Sequence, residues 1–431
     1  MDVAEFEKVS GTFSAFHGQF ARFFGRTETR RRSEQYLRGL LIEQTDRRNA
    51  ENLAEAVGEA TPRSLQRLLT DAPWETTPVL DALQGYLAPR LNAADGAFVL
   101  DETGFPKKGS KSVGVARQYC GTLGKVGNCQ LGVFLAYVSD RGHALIDARL
   151  YLPQAWIDDK ARCQAAGVPE GIAYQSKAEL AMAMLRHARQ IGHLTGRWVT
   201  GDADYGKVPT LRDDLDAADW WYVLEMPSTT PVFVKAAETM VPAWSGHGRK
   251  PTRPQLVAGA PGAQTVAEWA AGVDQTSWQN LIVAEGAQGP RSYQFVAQQV
   301  WESRNGMPGR ASWVVGRRNH DESELKFYLS NAPAETPLAT LAQVGAQRWP
   351  IETAFQNAKG ETGLDEYEVR GWGGWHHHIT FALLAGAFLL TLQQDWGKKS
   401  ARSHPSPGGT SVARIAAPTN LDQSQPLAVA A

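Results

Sequence analysis

Apolar positions recur at helical spacing through FSAFHGQFARFFG (13–25) and SEQYLRGLLIEQ (33–44), which predicts two amphipathic helices. NAENLAEAVGEATPRSLQRLL (49–69) predicts two shorter helices broken at Thr61 and Pro62. Thr61 suits an N-cap and Pro62 a first helical position, where a missing N–H costs nothing. A helix, a brief turn and a helix bearing Arg63 and Arg67 resembles a helix-turn-helix. Plain helix packing produces the same pattern, and the two arginines are the only feature that favours DNA. Residues 1–95 are therefore expected to form a helical, DNA-binding region.

The periodicity then changes. AFVLDETG (97–104) is a continuous apolar run that ends in an acid, as in a buried central strand. VGVARQYCG and CQLGVFLAYVSD follow, joined by the Gly-rich turn TLGKVGN, and HALIDARLYLP adds a further strand. These predict an antiparallel meander. KAELAMAMLRHARQIG (177–192) predicts a helix, RWVTGDADYG (197–206) a strand and turn, LRDDLDAA a short helix and WWYVLEMP (220–227) another strand. The succession is that of an α/β fold, a mixed sheet covered by helices, over residues 96–227.

Residues 228–340 break this rhythm with Gly, Pro, Gln and Trp, and their strand candidates SYQFVAQQVW, ASWVVGRRN and LKFYLSNAP predict a β-rich insertion. The α/β pattern resumes over 341–397, where ITFALLAGAFLLTL (379–392) is too short to span a bilayer and reads as a buried core helix. The tail, 398–431, is rich in Pro, Ser and Ala without apolar periodicity and is expected to be disordered.

Composition narrows the class only a little. With 43% hydrophobic and 21% charged residues the chain reads as soluble and globular. A net charge of -1 advertises no global basic field, although a local basic groove can hide in a neutral total. Cys120, Cys129 and Cys163 have no CxxC spacing and are expected to be reduced, as in a cytoplasm. The acidic start, MDVAEFEKVS, lacks the apolar core of a signal peptide.

The chemistry rests on three acids. Asp101 closes the first predicted strand, Asp202 the strand after the long helix, and Glu352 lies on RWPIETAFQNAKGETG. Ends of strands in α/β sheets are where sites form. Three converging carboxylates repel one another, and a hard divalent cation is the usual relief. Glu352 and Lys359 are seven residues apart, so they share a helix face about 20° apart. Arg348 stands just before Pro350, which fits the first turn, while Ala354 and Phe355 point to the core. An acid for metal flanked by two cations for phosphate suits an active-site helix. The plainer readings stay open: Asp202 as a helix cap, with Asp204 competing, and Glu352 as a favourable charge at a helix N-terminus. Arg348 and Lys359 as solvating charges belong with them.

The blocks FVLDETGFPKKG, RWVTGDADYG and QRWPIETAFQNAKGETGLDEYEVRGW resemble those of bacterial insertion-sequence DDE transposases, of the insertion-sequence 4 superfamily and its 701-type group. The resemblance runs from about residue 20 to 395. It implies an RNase H-like catalytic domain with the β-rich insertion before the glutamate, and Asp101, Asp202 and Glu352 as a triad binding two Mg²⁺ ions, for which Mn²⁺ substitutes. It implies cleavage at terminal inverted repeats, joining of the 3′ ends to target DNA, and multimers on DNA. The Tyr of the family's Tyr, Arg, Glu, Lys signature falls on Gly345, and the usual small residue before Tyr205 is Asp204; both are departures.

Lys107, Lys108 and Lys111 form a phosphate-contacting loop or a solvated hairpin. His376, His377 and His378 are about 100° apart on a helix and cannot share one metal; they are expected at a surface or interface. One tryptophan of the insertion is a candidate to stack on an unpaired base. Two alternatives stand beside the transposase: a same-fold metal-dependent nuclease that cuts without joining, and a catalytically inactive DNA-binding regulator. The expected location is the bacterial cytoplasm.

Overall fold

The computed structural model describes residues 3–43, 47–284, 289–400, 414–416 and 428–430. They divide into two compact units, Met1–Gly196 with Trp349–Ala431, and Arg197–Arg348.

The apolar helix expected at 379–392 organises the first unit. It is part of α14 (Trp372–Ser400), introduced here ahead of the helices that cover it. Its Phe381, Leu384, Ala385 and Phe388 are all buried. The helix is long and apolar enough to cross a membrane, but 78% of its apolar window is buried in the protein, as in a core helix. Against it pack α1 (Val3–Phe20), α2 (Thr27–Leu41), α4 (Arg63–Thr70) and α5 (Thr76–Leu91), with α3 (Ala50–Ala56) between α2 and α4 in the chain. Aromatic rings carry much of this contact: Phe13 meets Phe388 edge-on at 5.4 Å, and Phe24 stacks on Phe381 at 5.6 Å. Each such fully buried side chain stabilises by roughly 1.5–3 kcal/mol. The N-terminal helices are thus bonded into the core.

A two-residue strand, β1 (Ile42–Glu43), follows α2. The sheet of this unit comprises β2 (Ala97–Pro106), β3 (Ala116–Cys120), β4 (Lys125–Ser139) and β5 (Gly142–Tyr151). β4 pairs antiparallel with β2, β3 and β5. The meander is therefore β2, β4, β5, and β3 is a short hairpin arm on the first part of β4. Pairing of β2 continues to Pro106 opposite Cys129, so Asp101 sits within the strand and not at its end as its apolar run suggested. Two short helices, α6 (Gln154–Asp158) and α7 (Lys160–Ala165), which carry no clear periodicity, precede α8 (Lys177–Ile191). Ser176 and Glu179 close a capping box at the start of α8.

The second unit begins with β6 (Trp198–Gly201), α9 (Ala203–Gly206), α10 (Pro209–Ala217) and β7 (Trp221–Met226), and β6 and β7 run parallel. Small strands β8 (Pro231–Phe233), β9 (Thr239–Met240), β10 (Gln255–Leu256) and β11 (Gln264–Thr265), with α11 (Val266–Ala271), lead to β12 (Gln279–Ala284), β13 (Arg291–Arg304), β14 (Met307–Arg318) and β15 (Leu325–Ser330). The last four pair antiparallel in chain order, and β15 closes on β7. The β-rich residues thus extend the sheet begun by β6 and β7. Helix α12 (Leu338–Ala346) packs over β7 and β13.

Three antiparallel strands, a helix, and then a parallel pair is the strand succession of an RNase H-like fold, and the chain is α/β as expected. Helix α13 (Trp349–Thr362) returns to the first unit. Most of the tail expected to be disordered, 398–431, lies outside the described residues; within it are the end of α14 and two short strands, β16 (Arg414–Ala416), parallel to β1, and β17 (Ala428–Ala430).

Candidate active site

In the first unit, Asp101 on β2 is opposite Phe134 on β4. Residues directly opposed in an antiparallel pair point to the same face. Phe134 meets Phe355 of α13 edge-on at 5.2 Å. Phe355 is three residues after Glu352, less than one helical turn away. Helix α13 therefore covers the sheet face to which Asp101 points. Ile351, Ala354, Phe355 and Ala358 bury the inner stripe of α13, which leaves Glu352 exposed. Asp101 is half-buried and its Oδ1 accepts the Glu102 N–H at 2.7 Å. Glu102 points to the opposite face and pairs with Lys177 of α8.

Lys359, two turns beyond Glu352, is half-buried, and burial lowers its pKa below the usual lysine value while Asp365 opposes the shift. Its Nζ donates to Thr122 Oγ1 at 3.1 Å. The Thr122 hydroxyl in turn donates to the Gly104 carbonyl at 2.8 Å on β2. Lys359 thus ties α13 to the tip of the β3–β4 hairpin, a role its position in sequence did not announce.

In the second unit, Asp202 follows β6 directly. Its Oδ1 accepts N–H bonds from Asp204 at 2.9 Å and Tyr205 at 3.3 Å, so it does cap α9. Burial raises its pKa, Asp204 raises it further, and Arg348 and the two N–H groups pull it back. Gly206 ends the turn; a Cβ there would stand 1.9 Å from the Glu225 carbonyl oxygen, so only glycine allows the turn to lie this close to β7. Arg348 has a side chain only 11% exposed, and its Nε is 3.4 Å from Glu225 Oε2. It is no solvating charge. Its partner Glu225, which also pairs with Lys326 at 3.2 Å, had no signal in the sequence beyond its place in an apolar strand.

Gly345 is buried on α12, and a Cβ there would touch Val223 at 3.5 Å and Tyr328 at 3.6 Å. The position faces packed core, so a phenol could not simply be added. Arg63 and Arg67 are exposed on α4, with Arg67 Nε 3.9 Å from Asp71. Helix α4 starts one residue later than expected, with Pro62 and not Thr61 at the cap. Lys107 is half-buried, lies 3.7 Å from the Tyr367 ring centroid, and burial lowers its pKa to about 8, while Lys108 is exposed.

Two of the three histidines are not a surface feature. His377 and His378 are buried on the core side of α14, while His376 is half-buried. His378 Nδ1 lies 2.7 Å from the Tyr36 hydroxyl and Nε2 2.9 Å from the Gly363 carbonyl. The neutral ring satisfies both, donating from Nε2 and accepting at Nδ1. All three cysteines are free and buried.

Among the described residues, no three His, Cys, Asp or Glu side chains are grouped closely enough to hold a metal ion. Asp101 and Glu352 share one unit and Asp202 belongs to the other.

The model of a family described as DDE superfamily endonuclease matches residues 19–290. Over 172 residues the chain is 28% identical to the probable transposase for insertion sequence element IS701 of Microchaete diplosiphon, a match covering 40% of this chain and 42% of that protein. The chain thus spans less than half the length of that relative. It is also similar to the cryo-EM structure of the piggyBac transposase synaptic complex with hairpin DNA, at 9% identity and a TM-score of 0.41, over 93% of this chain and 75% of that one.

Proposed function

Because the chain belongs to the DDE superfamily of endonucleases, we propose that it is a transposase that cuts DNA at the terminal inverted repeats of an insertion sequence and joins the freed 3′ ends to target DNA. The observation that carries this reading is the packing of α13 onto the sheet face of Asp101, through Phe355 on Phe134. It sets the helix that carries Glu352 on the sheet face to which Asp101 points, although the two positions are 251 apart in sequence.

In this reading Asp101, Asp202 and Glu352 hold two Mg²⁺ ions, with Mn²⁺ as a substitute. The three acids suit such ions by donor type, all being hard carboxylate oxygens, and the pKa of Asp202 is raised by burial and by Asp204, a carboxylate that gains from a cation beside it. Such ions, when bound, supply activation of a water and charge neutralisation at the phosphodiester. The chain's own residues do the positioning. Phe355 fixes the height of Glu352 over the sheet. Arg348 balances the Asp202 and Glu225 carboxylates. Lys359, Lys107 and Lys108 contact phosphates on one unit, and Arg63 and Arg67 on α4 meet duplex DNA of the repeat. Self-association on the DNA and a place of action in the bacterial cytoplasm belong to the same proposal.

The test is cleavage of a DNA fragment bearing the element's ends, in Mg²⁺ or Mn²⁺, by the wild type and by Glu352→Gln. Metal-dependent cutting that the variant loses by 100-fold or more, about 3 kcal/mol, supports the triad. Tight binding without cutting by the wild type points to an inactive regulator instead. A strand-transfer assay on the cut ends separates a transposase from a nuclease that does not join.

A further inference from the structure

Residues 234–263 form an arm of the second unit. At its foot β8 and β11 pair antiparallel, with Val232 opposite Gln264. Farther out β9 and β10 pair in the same sense, with Met240 opposite Gln255. Residues 241–254 join those two strands and belong to no strand themselves. Trp244 is 52% exposed there, and Arg249, Lys250 and Arg253 are exposed as well. A tip that buries so little apolar surface adds little to the stability of the unit.

The charge of the arm is one-sided. Its cations are Lys235, Arg249, Lys250 and Arg253, and its one acid is Glu238, back toward the foot before β9. His247 adds positive charge when protonated. Among the described residues, no carboxylate forms an ion pair with Arg249, Lys250 or Arg253. The chain as a whole carries a net charge of -1, so this excess is local. Its complement is a polyanion.

Shape selects among polyanions. Gly246 and Gly248 take φ of 88° and 71°, and Trp244 Nε1 donates to the Gly248 carbonyl at 3.3 Å, which closes a turn just before Arg249. Beyond the turn, Lys250 and Arg253 each precede a proline, which biases both toward extended backbone. One extended strand is thin enough for the minor groove of duplex DNA, about 6 Å wide, whereas a helix or a paired ribbon needs the major groove, about 12 Å wide. At the rise of an extended proline-rich chain, Arg249 and Arg253 stand up to about 12 Å apart, or roughly four base pairs. The narrow minor groove of A·T-rich tracts carries an enhanced negative potential that draws arginine in.

We infer that the tip of this arm lies in the minor groove of A·T-rich duplex DNA, with Arg249 and Arg253 in the groove and Lys250 on a flanking phosphate. The turn braced by Trp244 sets the direction in which Arg249 leaves. The inference rests on the DNA-acting reading above and adds a duplex contact, with a base preference, for the second unit.

The test is fluorescence anisotropy of the full chain in EDTA, with a labelled duplex carrying an A·T tract, a G·C-rich duplex of equal length, and the single strand of the first. The wild type is expected to bind the A·T duplex most tightly, and netropsin, a small ligand of that groove, to displace it. Arg249→Ala with Arg253→Ala is expected to weaken A·T binding roughly 5- to 150-fold, the range of one lost base-pair contact. Its G·C binding and its thermal midpoint stay near those of the wild type, because both side chains are exposed. Lys250→Ala makes the dependence of log affinity on log salt shallower by about 0.9 on the A·T duplex. Wild-type A·T affinity in the double variant, an equal loss on both duplexes, or no displacement by netropsin overturns the inference and spares the transposase reading. Tighter binding of the single strand than of either duplex overturns it too. Binding to none of the three overturns both.

Discussion

Glu302 offers the sharpest test of how the second unit holds its site. The carboxylate is 1% exposed on β13. Its Oε2 accepts from Arg212 Nε at 3.2 Å and Nη2 at 2.9 Å, and stands 2.8 Å from Arg304 Nη2. Its Oε1 accepts from the hydroxyls of Tyr222 and Ser312, each at 3.1 Å. Burial pushes its pKa up, but Arg212, Arg304 and Arg310 win and hold it below the usual glutamate value. Arg212 also donates to the Gly206 carbonyl, the turn that carries Asp202. Replacing Glu302 by Ala leaves the buried Arg212 without its counter-charge, which costs about 3–5 kcal/mol. Glu302→Gln keeps the shape and loses only the charge assistance, about 1.5–3 kcal/mol. Urea denaturation followed by tryptophan fluorescence reads both, with midpoints lowered by roughly 1 M or more for Ala at an m-value of 1–3 kcal/mol/M. Because the folded pKa is depressed, the stabilisation is present above the unfolded value of 4.5 and is lost as pH falls through the lower folded value. The gap between wild type and Glu302→Gln must therefore close in acid. Glu302→Met with Arg212→Met should cost much less than the two single changes summed. A loss under about 1 kcal/mol for Glu302→Ala, or strict additivity in the pair, would refute the reasoning.

Gly206→Ala places a Cβ 1.9 Å from the Glu225 carbonyl, so the Asp202 turn must move, with a stability loss of about 1–3 kcal/mol and DNA cleavage down by tenfold or more; unaltered cleavage rejects the positioning role. Tyr36→Phe removes the donor to buried His378 Nδ1 and should destabilise by about 1–2 kcal/mol in the same urea titration. Burial lowers the pKa of His378 to about 4 and also lowers those of His17, His143 and His377. Stability from neutral histidine is complete above 6.5 and lost toward 4, so the thermal midpoint should fall between those pH values, and a flat profile there counts against buried neutral rings.

Local pattern carried much of the fold. The α14 segment was legible because fourteen consecutive apolar or small residues admit no solvent face, and the hairpin because two strand-like runs flank a Gly-rich turn. Asp202 was placed correctly because the short strand Trp198–Gly201 ends one residue before it. Asp101 was not, since the strand continues through polar Glu102 and Thr103 by pairing that only β4 supplies. The histidine triplet looked superficial because histidine is polar, and the burial of His377 and His378 depends on Tyr36, Leu69 and Trp74, hundreds of residues away in the chain.

By itself the sequence determined the element types and the α/β class and singled out three acids as candidates, because periodicity and residue chemistry are local properties. Only the tertiary structure decided that α13 lies over the face of Asp101 and that Arg348 is buried against Glu225. It also decided that Lys359 reaches Thr122 and that Trp244 is left in the open. Each of these depends on which surfaces meet across long loops. That choice is made by the packing of Phe355 on Phe134 and by strand register, which no window of sequence contains.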